Sequence, residues 1–386
     1  MARFLHIGDL HLGRTLHQVR LLDDQRHALE GVLTIIEQSE PKIDAVLIAG
    51  DVYDRSVPPT EAVSLLTWFI NELANTQGVQ VVMIPGNHDS AERMGFMAGL
   101  TKDIVHIAPP AESDPKPLII KDDHGSIDIF AIPFLDPPLV RSITGDDDVK
   151  DQQTAMDAIV ERLSKTRTSP RSVLVAHAFV NDDLGCAEES ESERALYVGG
   201  SSVIDAQSLS QFSYVALGHL HRPQTIGSER IQYSGSLLKY SKSEADHKKS
   251  VTLIDLDAEG NVQTSRVPTP IRRDLRVKRG LFEELMAQDD SHSEDYLFFE
   301  LENRDPISEV MNRLRDKYPN AVHLMYVERE IETELGTAPT QHHEVRIEDH
   351  FSSFFEQVTG AALEEDQRSA LMTVIAELGD AVEPPS

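Results

Sequence analysis

A single cysteine, Cys186, stands in 386 residues, which excludes an internal disulfide and a cysteine-built zinc cluster and points to a reducing compartment, the cytosol. No apolar run is long enough to span a bilayer. The opening MARFLHIGDLHLG has an early arginine and polar residues where a secretory leader needs an uninterrupted apolar core. The chain therefore reads as soluble, cytoplasmic and unprocessed, with no membrane partner. Three local signatures are missing as well: the G-x-S-x-G elbow, the G-x-x-x-x-G-K loop and the G-x-G-x-x-G turn. Serine hydrolase, P-loop NTPase and dinucleotide enzyme thus lack local support. Positive charge is scarce, with 36 Lys and Arg against 65 Asp and Glu and a net charge of −29. That balance argues against broad electrostatic capture of nucleic acid, although it leaves room for a local site.

Two stretches run against this acidic background. One holds Lys239, Lys242, Lys248 and Lys249; the other holds Arg266, Arg272, Arg273, Arg276, Lys278 and Arg279. Salt bridges on a solvated face and a track for phosphates are both open readings. The apolar content of 40% is ordinary and sufficient for a proper core.

Short apolar runs alternate with longer amphipathic stretches through the first two-thirds of the chain. Helical spacing over 19–38 (Leu22, Leu29, Val32, Leu33, Ile36) and over 60–75 separates RFLHIGD, AVLIAGD and VQVVMIPGNHD, and SVLVAHA and YVALGHLH follow later. This is the pattern of a sheet covered on both faces, so the fold class is α/β. In such folds ligands bind beyond the carboxyl ends of the strands. Five runs end there in metal-competent residues: Asp9 and His11; Asp51; Asn87 and His88; His177; His219 and His221. Four of the five groups lie beside or just after a glycine, which lets backbone approach closely. Any one of them alone would be ordinary turn chemistry or a hydrogen-bonded histidine; five together point to a site.

A His, Asp and Asn set without thiolate suits Mn²⁺, Fe²⁺, Zn²⁺ or Mg²⁺. It is too large for one tetrahedral ion. With a bridging carboxylate it would hold two ions about 3.5–4 Å apart, the arrangement that activates water and clamps an in-line phosphoryl displacement. Hydrolysis of a phosphate ester follows as the expected chemistry.

The ordered motifs D-x-H, G-D-x-x-D, G-N-H-D, H and G-H-x-H resemble those of the calcineurin-like metallophosphoesterases. The segments IGDLHLGRTL, DAVLIAGDVYDRSVPPTEAV, IPGNHDSAERM, YVALGHLHRPQ and YSGSLLKYSKSEADHKKSV extend the likeness to that family's double-strand-break repair nucleases across most of 1–270. Asp89 and Ser56 stand where a serine/threonine phosphatase of the family would carry Glu and Gly. The resemblance implies a two-sheet β-sandwich flanked by helices, a small α+β capping domain and C-terminal helices. It assigns Asp9, His11 and His221 to one metal, Asn87, His177 and His219 to the other, and Asp51 to both. His88 would face the scissile phosphate, and Asp54 and Asp89 would orient ligands. Two divalent ions, Mn²⁺ by family habit, are the implied cofactors. The implied activity is exonuclease and endonuclease cleavage of DNA ends and hairpins, with an SMC-like ATPase as partner and a homodimer formed near 60–75. A small-molecule or nucleotide phosphodiesterase and a metal-binding scaffold are the alternatives.

The expected organisation is a nuclease domain over 1–270, a capping domain over 271–340 and a helical partner-binding segment over 341–386. RRDLRVKRG, DYLFFELE and AVHLMYVERE read as strands of a βαβαβ unit. Beyond them Ile347, Phe351, Phe354, Phe355 and Val358, then Leu363, Leu371, Val374, Ile375 and Leu378, repeat at helical spacing. The acidic stretches TGDDDVKD and NDDLGCAEESESE read as solvated insertions.

Overall fold

The run AVLIA becomes the strand Ala45–Ala49, buried at every position, and such a strand needs cover on both faces. The structure, a computed structural model, describes residues 1–96, 104–112, 115–182, 187–193, 202–327 and 367. Ala45–Ala49 pairs in parallel with Ala2–Ile7 and Gln80–Ile84. The six-stranded sheet around it runs Val262–Pro268, Ser250–Leu256, Ala2–Ile7, Ala45–Ala49, Gln80–Ile84, Val105–Ile107. A second six-stranded sheet runs Gln224–Ile226, Ser228–Tyr233, Tyr214–Gly218, Ser172–His177, Gly125–Ile132, Leu118–Asp122.

Alternation along the strands sorts the side chains into layers. Phe4, Leu47 and Val82 of the first sheet meet Ile129, Val173 and Ala216 of the second in one core between the sheets. Leu5, Val46 and Ile48 point the other way, onto Leu29 and Val32 of the helix Leu22–Glu37 and Phe69 of the helix Thr60–Asn71. Leu174, Val215 and Leu217 on the far face of the second sheet pack against Met156, Ile159 and Leu163 of the helix Gln152–Thr166. The sheet expected from strand and helix alternation is therefore a two-sheet sandwich between helical layers.

Two helices differ in extent from their periodicity. Val19 and Arg20 pair with Thr15 and Leu16 in a small antiparallel ladder, so the first helix starts only at Leu22. The second passes after Asn71 into a π-helical turn over Glu72–Thr76. TGDDDVKD is the connection between two helices rather than an insertion: Gly145 ends one with φ +67°, and Asp151 caps the next in a reciprocal pair with Thr154.

Beyond residue 270 the strands Leu275–Gly280, Tyr296–Leu301 and Ala321–Tyr326 form a parallel three-stranded sheet. Phe282, Leu285 and Leu314 of its two helices cover Leu297 and Phe299 on one face. Leu275, Tyr296, Phe298 and Val322 on the other face join the core beneath the first large sheet. Residues 1–329 form one compact unit. Cys186 and, apart from Gln367, the expected helical segment 341–386 lie outside the described residues. Among the described residues no helix is long and apolar enough to cross a membrane.

An edge of the second sheet is fixed by charge. Arg171 donates to both carboxylate oxygens of Asp122 at 2.7 Å, with both side chains buried. This pairing holds the Asp122 carboxyl well below the usual carboxylate range. A depressed folded pKa stabilises above the unfolded value of about 3.9 and is lost as pH falls below it. Asp122→Asn leaves Arg171 buried and unpaired, so urea unfolding at pH 7 should show a loss of about 3 kcal/mol. The gap between variant and wild type should narrow progressively as the pH is lowered below about 4.

Candidate metal centre

Strands of both sheets end at the same crevice, and their loops are bonded to one another before any side chain chelates. The amides of Asp9 and His11 donate to the carbonyls of Gly50 and Asp51 at 3.1 and 2.9 Å. The amide of His219 donates to Asp9 Oδ1 at 2.8 Å, and that of His88 to Asp51 Oδ1 at 2.9 Å. Asp89 accepts from the amides of Val52, Tyr53 and Gly86 at 2.9–3.0 Å, so one carboxylate ties the Asp51 loop to the Asn87 loop.

The turn from strand to site passes through strained backbone. Asp9, His11, Asp51 and His219 have φ of +52°, +43°, +46° and +112°. Each such residue costs on the order of 1–3 kcal/mol and persists only where its surroundings hold it. Close approach explains two of the motif glycines. A Cβ on Gly86 would lie 2.2 Å from Asp51 Oδ1, and one on Gly218 would lie 1.7 Å from the Ala49 carbonyl oxygen. Gly8 is under no such demand, since its nearest neighbours would be at 3.6 Å.

Hydrogen-bond chemistry shows what the crevice is built to hold. His177 Nδ1 lies 3.0 Å from the Ala49 carbonyl and must donate to it, which leaves Nε2 as a lone pair 2.9 Å from Asn87 Oδ1. His221 Nδ1 donates to Ser192 Oγ at 2.7 Å, leaving its Nε2 lone pair 3.0 Å from His11 Nε2. Asp9 Oδ2 and His11 Nδ1 are buried without a hydrogen-bond partner among the described residues. Imidazole and carboxylate lone pairs gathered in one crevice make good cation ligands. Three triads could each hold an ion, their ligand atoms within 4.8 Å of one another: Asp9, His11 and His221; Asp9, Asp51 and His177; His11, Asp51 and His88.

The charge balance agrees. Burial lowers His11, His219 and His221 and takes His177 down to about 4, so the imidazoles are neutral. Burial and the nearby Asp51 push Asp9 well up and Asp89 up to about 7. Carboxylates crowded in a dry crevice call for a cation.

All of the expected residues come to this place. His219 enters through its amide, and its ring stands 5.5 Å from that of His177. His88 Nδ1 donates to the Asp54 carbonyl at 2.8 Å, which leaves Nε2 3.9 Å from Asp51 Oδ2. The Asp54 carboxylate takes Arg14 at 3.3 Å and lies 3.9 Å from His11 Nδ1.

Several contributors carry no local sequence signal. Ser192, which accepts from His221, donates to Glu244 Oε1 at 2.5 Å, and that oxygen lies 3.2 Å from His221 Nδ1. Lys249 Nζ donates to Glu244 at 2.5 Å and to the His221 carbonyl at 2.8 Å. Burial alone would raise Glu244, but Lys249 and His221 hold it well below the usual range, as an anion. Glu193 accepts the His221 amide at 2.7 Å, and burial pushes its carboxyl up to about 7. The described end of NDDLGCAEESESE is thus part of the site, a correction to its reading as a solvated insertion. Lys249, the last cation of the first basic stretch, is buried and paired.

Comparison with known proteins follows the same lines. The sequence profile of the calcineurin-like phosphoesterases matches residues 2–223, and that of the type 5 capsule protein repressor C-terminal domain matches 271–359. The chain is 29% identical to the SbcD component of nuclease SbcCD from Staphylococcus saprophyticus, over 98% of this chain and 99% of that protein. It is 30% identical to the protein of that name from Bacillus subtilis, over 97% of each, and to that from Staphylococcus epidermidis, over 84% and 85%.

Two variants test the site. Glu244→Gln removes the anion behind His221 and should weaken Mn²⁺ binding, read by calorimetry, by about 10–100-fold. Gly218→Ala must displace the Ala49 carbonyl, so its urea midpoint should fall well below wild type in chelator as well as in Mn²⁺.

Proposed function

The chain belongs to the calcineurin-like phosphoesterase family, among the SbcD nucleases, and on that premise we propose that it cleaves DNA ends and hairpins by two-metal phosphodiester hydrolysis. The observation that carries the reading is the meeting of two imidazole Nε2 atoms, of His11 and His221 at 3.0 Å, beside the unpartnered Oδ2 of Asp9. Asp9, His11 and His221 would hold one ion; Asn87, His177 and His219 would hold the second; Asp51 would serve both. Mn²⁺ suits these nitrogen and oxygen donors. Such ions supply Lewis acidity toward a phosphoryl group and toward water.

The chain's own residues do the rest. Asp54 fixes the His88 ring through its carbonyl, and His88 would face a scissile phosphate. There it stabilises developing charge or returns a proton to the leaving oxygen. Asp89 and Glu244 orient the loops and rings that carry the ligands. Residues 271–340 would cap the groove of the 1–270 nuclease part, and 341–386 would dock the partner. The names of the relatives make each of them a subunit of a nuclease. We therefore assign this chain an SbcC-type ATPase partner, which would supply positive surface that a chain at −29 lacks, and a homodimeric arrangement.

Degradation of a hairpin-ended duplex, with Mn²⁺, ATP and the partner ATPase, is the test. Wild type should cut. His88→Ala should retain Mn²⁺ affinity but cut about 10²-fold more slowly or worse. Loss of Mn²⁺ by that variant would make His88 a ligand instead. Intact DNA with a small phosphodiester hydrolysed would move the substrate away from DNA.

A further inference from the structure

The two basic stretches meet at a cavity of about 950 Å³ whose wall carries six lysine and arginine side chains against three aspartates. In a chain of net charge −29 this is a local reversal of sign. Some of these cations are committed: Lys239 pairs with Asp274 and Arg273 with Asp24, both at 2.9 Å, and Lys249 with Glu244. Lys248 and Arg266 pair with no carboxylate among the described residues, and Arg266 donates only to Thr225 Oγ1, at 3.3 Å.

The same wall gathers polar atoms left over. Eleven buried side-chain nitrogen and oxygen atoms have no hydrogen-bond partner among the described residues; four belong to this wall, namely Asp24 Oδ1, His247 Nδ1, Ser250 Oγ and Thr269 Oγ1. A buried polar group without a partner is costly, so these four call for bound water or a polar ligand. The two hydroxyls and the free cations suit an anion. Asp24 Oδ1 suits a donor such as a sugar hydroxyl or a base amino group, which a bare phosphate dianion lacks. Leu21, Leu238 and Leu275 add apolar wall, and the volume fits a ligand of nucleotide size.

We propose that this cavity binds a nucleoside phosphate, carried either as a free nucleotide or as the end of a nucleic-acid strand. The site is distinct from the metal centre, and the proposal does not depend on the nuclease reading. Lys249 belongs to both places, since its Nζ also holds the His221 carbonyl.

Calorimetry on the full chain in chelator decides it, with dAMP, inorganic phosphate and a short oligodeoxyadenylate as probes. Saturable dAMP binding is expected, tighter than that of phosphate and weakened about tenfold or more in the Lys248→Ala/Arg266→Ala double variant. Tighter binding of the oligonucleotide than of dAMP identifies the strand end as the ligand; equal binding identifies the free nucleotide. The proposal falls if neither nucleotide probe saturates, if the double variant binds like wild type, or if phosphate binds as tightly as dAMP. Reloaded with Mn²⁺, the double variant should hydrolyse a small phosphodiester at the wild-type rate. Absence of that hydrolysis in wild type would count against the metal-centre reading and leave the cavity result standing.

Discussion

Acceptors buried without protons repel one another, and the strand ends of this fold collect more of them than hydrogen bonds can serve. His177 turns an Nε2 lone pair toward Asn87 Oδ1, His221 turns one toward His11, and Asp9 keeps an oxygen with no donor. In water such groups would be hydrated; in a dry crevice only a cation satisfies several at once. Much else near the centre exists to hold that arrangement against its own repulsion. Gln25 donates to the His11 carbonyl at 2.7 Å, and Tyr240 to the Leu10 carbonyl at 2.5 Å. Tyr233 donates to the Ala178 carbonyl at 2.8 Å, just past His177.

The strain is distributed in the same way. Four site residues in the left-handed region would be improbable in a loop free to relax. Here each is bonded to a neighbouring strand end, so no single turn can revert without breaking contact with another. The sandwich beneath supplies the rigidity: five parallel strands, three in one sheet and two in the other, deliver their loops to one place. Function and fold meet in the backbone as much as in the side chains.

Much of this could be read from the residues. Continuous apolar runs announced strands buried on both faces, and the polar residues ending them announced the crevice, because both properties are local. The division into two sheets was not local: Leu47 and Val173 are equally apolar, and only the resemblance separated their sheets. The supporting residues were hidden for a related reason. Glu244 and Lys249 look like part of a charged surface stretch, Ser192 like the tail of an acidic loop, and Gln25 like a polar position on a helix. Each acquires its role from a partner far away in sequence, across contacts that periodicity does not encode. Lys249 shows the point most plainly, since burial, not composition, separates it from Lys248.

The three-stranded sheet beyond residue 270 puts Leu275, Tyr296, Phe298 and Val322 into the core of the first large sheet. Each apolar side chain withdrawn from such a core costs about 1.5–3 kcal/mol. A swing of this sheet away from the body would expose all four together, a penalty comparable to the whole stability of many domains. Hinged opening of the kind seen in enzyme lids is therefore closed to this element. It is a fixed wall, and admission to the metal centre has to be governed by what is laid across the crevice or by how the polymer is presented to it.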